Sequence, residues 1–317
     1  MNRRRVSGLS AFVVLLAACA PTAPGASTPP AKKAVPSPRV EYVAGGAGDN
    51  QDIPRFSRRR AMRHVRRLAR DIGIRERATR GERRGMRYAR RQFRALGYRV
   101  HTQKFSVDGG TSRNVVARWP GARRYPVLVG GHMDSVPGSP GANDNASGVA
   151  VVLEVARLFA GTPQAEFVKF AAFGSEEFGD DGSHHVGSQI YVDRLGNAGR
   201  RWFAGMVSVD MIADGRPLIV GTAGIGPEVV ARTLYRKIDR MGIDVEYRTT
   251  CDCSDNGPFE RAGIPASFMW SGPEPNYHDP SDTVANMSPA DLRRTGRAVR
   301  RFVRALDRDL IRRFRRA

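Results

Sequence analysis

Carboxylates are in short supply in this chain. Its 317 residues carry 31 Asp and Glu against 52 Lys and Arg, a formal net charge of +21. Cysteine is scarcer, three in all, at positions 19, 251 and 253. Two cysteines separated by one residue do not by themselves supply the four ligands of a structural metal site. Internal repeats are absent, which sets aside solenoids and propellers. No nucleic-acid recognition motif accompanies the basic surplus, so the arginines read as surface filler and no specific nucleic-acid partner is expected. The apolar run at 6–18 is too short for a stable bilayer span. What the chain does have is a core: 41% of its residues are hydrophobic, and its length suits one large α/β domain with additions.

The first residues read as a targeting signal. Arg3, Arg4 and Arg5 precede the short apolar run, which closes on Leu16-Ala17-Ala18-Cys19. Small residues before a cysteine resemble the bacterial lipobox. That resemblance implies cleavage of a 1–19 signal region, lipid on Cys19, and a protein anchored on the outer face of the cytoplasmic membrane. The alternative is a secreted protein cut near Ala18 or Ala20. Residues 20–52 are rich in Pro, Ala, Gly and Ser and bury too little to offset ordering entropy, so they read as a flexible tether. The folded domain is expected over 53–317.

Within that domain, helical spacing of Met62, Val65, Leu68 and Ile72 predicts a helix over 56–73, and a second is predicted over 81–96. Strands are predicted at 98–105, 114–119, 125–129, 167–173, 206–209, 218–220, 245–247 and 265–270. Further helices are predicted at 149–159, 227–241 and 289–310. Strands alternating with helices predict a single α/β domain. Its central sheet is expected to be mixed but mostly parallel, flanked by helices on both faces.

The chemistry lies at strand ends. The 125–129 strand runs into a Gly/Pro/Ser loop holding His132 and Asp144. The 167–173 strand runs into Glu176 and Glu177, and the 206–209 strand ends at Asp210; His278 lies in a late loop. Loops at the carboxyl ends of strands are where α/β folds place reactive groups. Two histidines and three carboxylates, namely His132, Asp144, Glu177, Asp210 and His278, suit a pair of zinc ions. Three negative charges and a hydroxide balance two Zn²⁺, which lowers the cost of burying the cluster. Adjacent strand residues face opposite ways, so Glu176 and Glu177 share one site only if the chain bends, and Gly174 is the expected bend.

Five motifs in order, GGHMDS, GANDNASG, FGSEEFG, VSVDMIA and NYHDPSDT, resemble the secreted co-catalytic dizinc aminopeptidases. This is the bacterial leucyl aminopeptidase type within the zinc exopeptidase group, with a phosphorylase/hydrolase-like fold. The resemblance runs from about residue 57 to 305. It implies His132 and Asp210 on one zinc, Glu177 and His278 on the other, and Asp144 bridging. It implies Glu176 as general base toward a metal-bridging hydroxide, Asp134 orienting His132, Tyr277 steadying the oxyanion, and Asp282 in a supporting place. The activity implied is removal of N-terminal, small to medium apolar residues from peptides with a free amine. A monomer is expected.

Alternatives of the same fold are a glutaminyl cyclase and a hydrolase of acylated amino acids or of C-terminal residues. Tyr277 stands where the cyclases usually carry Trp. A non-catalytic envelope-binding lipoprotein is the remaining rival. His184 and His185, in a loop after Glu177 longer and more acidic than the family's usual turn, read as solvated residues at the cleft mouth. Asp193 and Asp214 read as surface or structural carboxylates. A side-chain pocket is expected near Met211, Phe259 and Phe268. Cys251 and Cys253 are either bridged or free.

Overall fold

The computed structural model describes residues 53–122 and 125–317. The signal region, Cys19 and the tether lie outside the described residues. Eight strands form one sheet: β1 (Arg99–Val107), β2 (Gly110–Arg118), β3 (Val127–His132), β4 (Val168–Phe173), β5 (Gly205–Val209), β6 (Leu218–Thr222), β7 (Val245–Thr249) and β8 (Ala266–Ser271). Their spatial order is β1-β2-β4-β3-β5-β8-β6-β7. The central strands β4, β3, β5 and β8 run parallel to one another. β6 pairs parallel with β7 but antiparallel with β8, and the β1–β2 hairpin joins β4 antiparallel. The sheet is therefore mixed, with a parallel centre.

The centre is parallel because its strands are apolar on both faces. Every residue of β3 is buried, as strands covered by helices on both sides must be. Val127, Val129, Phe170, Val207 and Met269 point into one core with α1 (Arg58–Val65), α3 (Gly148–Phe159) and α7 (Pro289–Arg304). Leu128, Ala171, Phe173, Met206 and Ala266 point into a second core with α4 (Val186–Arg200) and α6 (Asn256–Arg261). The alternation is the period of two that a pleated strand imposes.

The remaining helices are α2 (Arg80–Ala95), α5 (Val229–Asp239) and α8 (Arg308–Arg315). The single helix expected over 289–310 is two. Asp307 accepts the Leu310 N–H at 2.8 Å and caps α8, so the chain restarts after Arg304. The first helix also departs from expectation, continuing past Val65 as a wider π-helical turn, Arg66–Ile72. α4 and α6 were not evident from periodicity. α4 carries Gly187, Gly196 and Gly199, with non-helical geometry at Gly196, which blurs the 3.6-residue pattern. No helix among the described residues is long and apolar enough to cross a membrane.

Because β4, β3, β5 and β8 are mutually parallel, their carboxyl ends share one edge. That edge receives His132, the turn after Phe173, Asp210 and the chain leaving Ser271.

Candidate metal centre and active site

The residues singled out from sequence come together at this edge. His132 Nε2 lies 3.1 Å from Asp144 Oδ1 and 3.2 Å from Asp210 Oδ1. His278 Nε2 lies 3.3 Å from Asp144 Oδ2 and 3.1 Å from Glu177 Oε2. Asp144 thus presents one oxygen to each histidine. Glu176 Oε2 is 3.8 Å from His132 Nε2.

Each side chain is placed by a specific local arrangement. The Asp144 turn, Ala142–Ser147, is held from outside by Asp282, whose carboxylate accepts the Asn143 and Asp144 N–H groups at 2.7 and 2.9 Å. Asn145 ties the same turn to the end of β5 through Val209 O at 3.0 Å. Ser254 Oγ donates to Asp210 Oδ2 at 2.9 Å and leaves Oδ1 for His132. The 133–141 loop wraps the fully buried Arg75, which donates to Met133, Pro140 and Gly141 carbonyls at 2.8, 2.6 and 2.7 Å. Asp134 accepts the Glu177 N–H at 3.0 Å. Its other oxygen stands 3.6 Å from His132 Nδ1, beside it but beyond hydrogen-bond length.

Glu176 and Glu177 share the site because the chain turns at Ser175, at φ +55°. The bend is therefore one residue later than expected. Gly174 serves packing instead: a Cβ there would collide with Ser112 Oγ and Glu82 Oε1. Glu82 itself is fully buried and accepts the Ser175 N–H at 2.9 Å and the Ser112 hydroxyl at 2.6 Å. Burial, followed by the charge of Asp134, pushes the Glu82 carboxyl up to about 8. Ser175, His185, Met211 and His278 all carry positive φ, and such strain clusters where a site over-determines its backbone.

Two expectations need correction. His185 is not a solvated loop residue. It is 2% exposed, it immediately precedes α4, and its Nε2 lies 3.0 Å from Glu176 Oε1. In sequence this stretch is only an acidic, glycine-containing loop, and the contact depends on how that loop folds back. Phe259 does not line a cleft. It packs in the second core against Phe173, Tyr191 and Phe203. Phe268 is also buried and stacks on Trp270, whereas Met211 is partly exposed. Tyr277 is 53% exposed, and its ring stacks on His278 with centroids 3.7 Å apart. Asp193 is a surface ion-pair partner of Arg200, and Asp214 accepts from Asn276. Cys251 and Cys253 are bridged.

The electrostatics call for cations. Asp134, Asp144, Glu176, Glu177, Asp210, Asp255 and Asp282 are all buried. No Lys or Arg forms an ion pair with any of them among the described residues. Buried carboxylates without such partners are costly. Burial first, then neighbouring carboxylates, raise Glu176 and Glu177 well above the ordinary range. Burial, with Glu176 adding to it, pushes Asp255 up to about 7. Burial opposes charge on His278, but the ring's hydrogen bonds to Asp144 and Glu177 outweigh it and lift the ring to about 10.

The donor set fits zinc. Ligand atoms on a tetrahedral zinc at about 2.0–2.1 Å stand about 3.3 Å apart. The four His–carboxylate separations above are within 0.2 Å of that spacing. Buried Glu177 Oε1 has no hydrogen-bond partner among the described residues. His132 with Glu176 and Asp210, and His132 with Asp144 and Glu177, form two groups whose ligand atoms lie within 4.8 Å of one another.

An open α/β sheet with a histidine–carboxylate cluster on the carboxyl ends of its parallel strands is the architecture of the metal-dependent exopeptidases. The chain belongs to peptidase family M28, which it matches over residues 114–303. It is 35% identical over 202 residues to aminopeptidase YwaD of Bacillus subtilis, an alignment covering 60% of this chain and 43% of YwaD. It is 32% identical over 225 residues to the probable lipoprotein aminopeptidase LpqL of Mycobacterium tuberculosis, covering 59% of this chain and 44% of LpqL. The chain thus spans less than half the length of these two relatives. Its fold is that of the zinc aminopeptidase BSAP from Bacillus subtilis, with a TM-score of 0.73, 20% identity, and coverage of 80% of this chain and 95% of that one.

Proposed function

We propose that the protein is a zinc-dependent aminopeptidase holding two zinc ions. The observation that carries this reading is Asp144, whose two oxygens face the separate histidines of two donor groups. His132 and Asp210 would hold one ion and His278 and Glu177 the other, with Asp144 between them. When bound, such a pair supplies a carbonyl-polarising Lewis acid and lowers the pKa of a shared water.

The chain's own residues do the rest. Glu176 takes a proton from the attacking water and returns it to the departing amine as the peptide C–N bond breaks. Asp134 holds the Glu177 backbone and lies beside His132. Burial, followed by the charges of Asp144 and Glu177, raises the Tyr277 phenol above its ordinary range, so Tyr277 stays a protonated donor for the developing oxyanion. The carboxylates of Glu176 and Asp210 receive the substrate ammonium group. The preferred N-terminal residue is small to medium and apolar.

We further propose the organisation 1–19 signal, 20–52 tether and 53–317 catalytic domain, with the mature protein a monomer lipid-anchored through Cys19 at the cell envelope. The name of LpqL, a probable lipoprotein aminopeptidase, supports that placement. Replacing Cys19 with Ala is expected to move the protein from membranes to the soluble fraction.

The activity is tested with aminoacyl-p-nitroanilides, their N-acetylated counterparts and an N-terminal glutaminyl peptide. The expected result is release from free-amine substrates only, lost with chelator, restored by zinc, and two zinc ions per chain. Hydrolysis of the acetylated substrates, or cyclisation of the glutaminyl peptide without hydrolysis, overturns the reading.

A further inference from the structure

The two oxygens of Glu176 have different surroundings. Oε2 faces the donor cluster, 3.8 Å from His132 Nε2. Oε1 faces away from it, 3.0 Å from His185 Nε2. No other side chain and no backbone N–H donates to Oε1 among the described residues. A carboxylate surrounded by Asp134, Asp144 and Asp210, whose charges all bear on it, has little else to fix its rotation.

His185 is itself held in place. Its N–H donates to Glu176 O at 2.7 Å, and Val186 N–H donates to Ser175 O at 2.9 Å, so the inserted loop closes back on the backbone of the base. Its carbonyl accepts the Gln189 N–H at 2.9 Å and the Ser188 hydroxyl at 3.1 Å. The loop then stacks its own rings over it. His184 meets the His185 ring edge-on at 4.1 Å between centroids, and Phe178 covers His184 at 4.6 Å. Arg77 secures the loop from below through the Glu177 and Ser183 carbonyls at 2.8 and 2.7 Å. This is more machinery than a solvated loop histidine needs.

We propose that His185 is a positioning residue for the general base: its Nε2–H donates to Glu176 Oε1 and leaves Oε2 as the oxygen that takes and returns the proton. An ionised carboxylate only accepts, so the ring at this distance carries its proton on Nε2. The orientation of a base by a second group is the logic by which outer partners tune a site. The residue comes from the lengthened loop, and so the loop has a role beyond reshaping the cleft mouth. The inference rests on the assignment of Glu176 as base.

The test uses the full catalytic chain, wild type against His185→Ala and His185→Gln, on the free-amine p-nitroanilide the wild type cleaves best. Zinc content is measured alongside. The Ala variant is expected to lose about 10- to 100-fold in kcat. Its KM should stay within about twofold, as for an interaction made in the transition state rather than in binding, and its zinc content should be unchanged. The Gln variant, whose amide N–H can reach the same oxygen, is expected to recover most of the loss.

A second readout does not depend on turnover. In the zinc-loaded wild type, where Glu176 is the ionised acceptor, the ring nitrogen shifts of His185 are expected to report a proton on Nε2 and a bare Nδ1, and the Nε2–H resonance is expected to move in Glu176→Ala. An Ala variant with wild-type kcat overturns the proposal. So does a loss of kcat that tracks zinc loss and is not rescued by Gln. So does a proton found on Nδ1 with Nε2 bare. If the Ala variant does not fold, the Gln variant and the wild-type ring shifts decide. If the wild type cleaves no free-amine substrate, the aminopeptidase reading fails, and the ring shifts alone decide whether His185 holds Glu176.

Discussion

Glu176 and Glu177 are neighbours in sequence, and the separate tasks proposed for them rest on what each touches. Glu177 pairs with His278 and reads as a ligand. Glu176 pairs with His185 and stands off from His132, and so it reads as a base. Glu176→Gln is therefore expected to lower kcat by about 10²–10⁴-fold while zinc content, measured by atomic absorption, stays at the wild-type level; loss of metal in that variant would instead make Glu176 a ligand. Residue type and position, at strand ends or in the loops that follow them, were enough to single out the five proposed ligands, His278 in its late loop included. They were not enough for His185, Ser254 or Glu82, whose parts are defined only by a partner 9, 44 or 93 residues away in the fold. A residue of a different kind is His64 on α1. Burial, then Arg63, Arg60 and Arg157, hold its ring down to about 4, and Tyr88 OH lies 2.6 Å from its Nδ1. The folded ring stays neutral while the unfolded one protonates below about 6.5. Stability is thus full above pH 6.5 and falls as pH drops toward 4, by on the order of 3 kcal/mol. Denaturant titrations at pH 7 and pH 4.5 are expected to differ less in His64→Gln than in wild type, and an unchanged difference would remove His64 as the cause.

Among the elements, the contact between α3 and the end of β5 links the two ends of the site. α3 begins at Gly148 directly after the Asp144 turn, and β5 ends at Val209 directly before Asp210. A Cβ on Gly148 would sit inside contact distance of Val209 O and Asn145 Oδ1. Neither is the end of a flexible side chain free to move away. Gly148→Ala is expected to destabilise the fold by about 1–3 kcal/mol and to weaken zinc retention, because it pushes Asp144 and Asp210 apart. A thermal melt and a zinc competition titration check the two effects. A variant as stable as wild type with unchanged zinc affinity would mean the helix end yields freely. The central strands were legible from composition because β3, β4, β5 and β8 are apolar on both faces. The break between α7 and α8 was not, because Leu306 and Ile311 keep the apolar spacing going while Asp307 caps a new helix. α4 escaped for the opposite reason, since its glycines interrupt a pattern that tertiary packing of Tyr191 and Val192 restores.

At the scale of the whole molecule, charge is sorted by depth. Most arginines of α1, α2, α7 and α8 face outward, whereas the buried carboxylates gather at one edge of the sheet. The folded chain without metal must bury them against one another. It does so by holding protons: burial lifts Asp255 to about 7 and Asp282 to about 6, and raises Glu176 and Glu177 well above the ordinary carboxylate range. A group whose folded pKa is raised contributes stability that is present below its unfolded pKa and lost as pH rises through the folded one. For Asp255 and Asp282 the window opens near pH 4 and runs to about pH 7, so the metal-free protein is expected to weaken across it. Zinc acts in the other direction. It binds deprotonated ligands and displaces their protons, so its stabilisation grows with pH. The gap between the melting temperatures of zinc-loaded and chelator-treated protein should therefore widen from pH 5.5 to pH 8, each displaced proton contributing about 1.4 kcal/mol per pH unit. Calorimetry of both forms across that range checks it. A gap that stays constant would mean that the cluster binds metal without releasing protons, and that its carboxylates are already ionised in the metal-free fold.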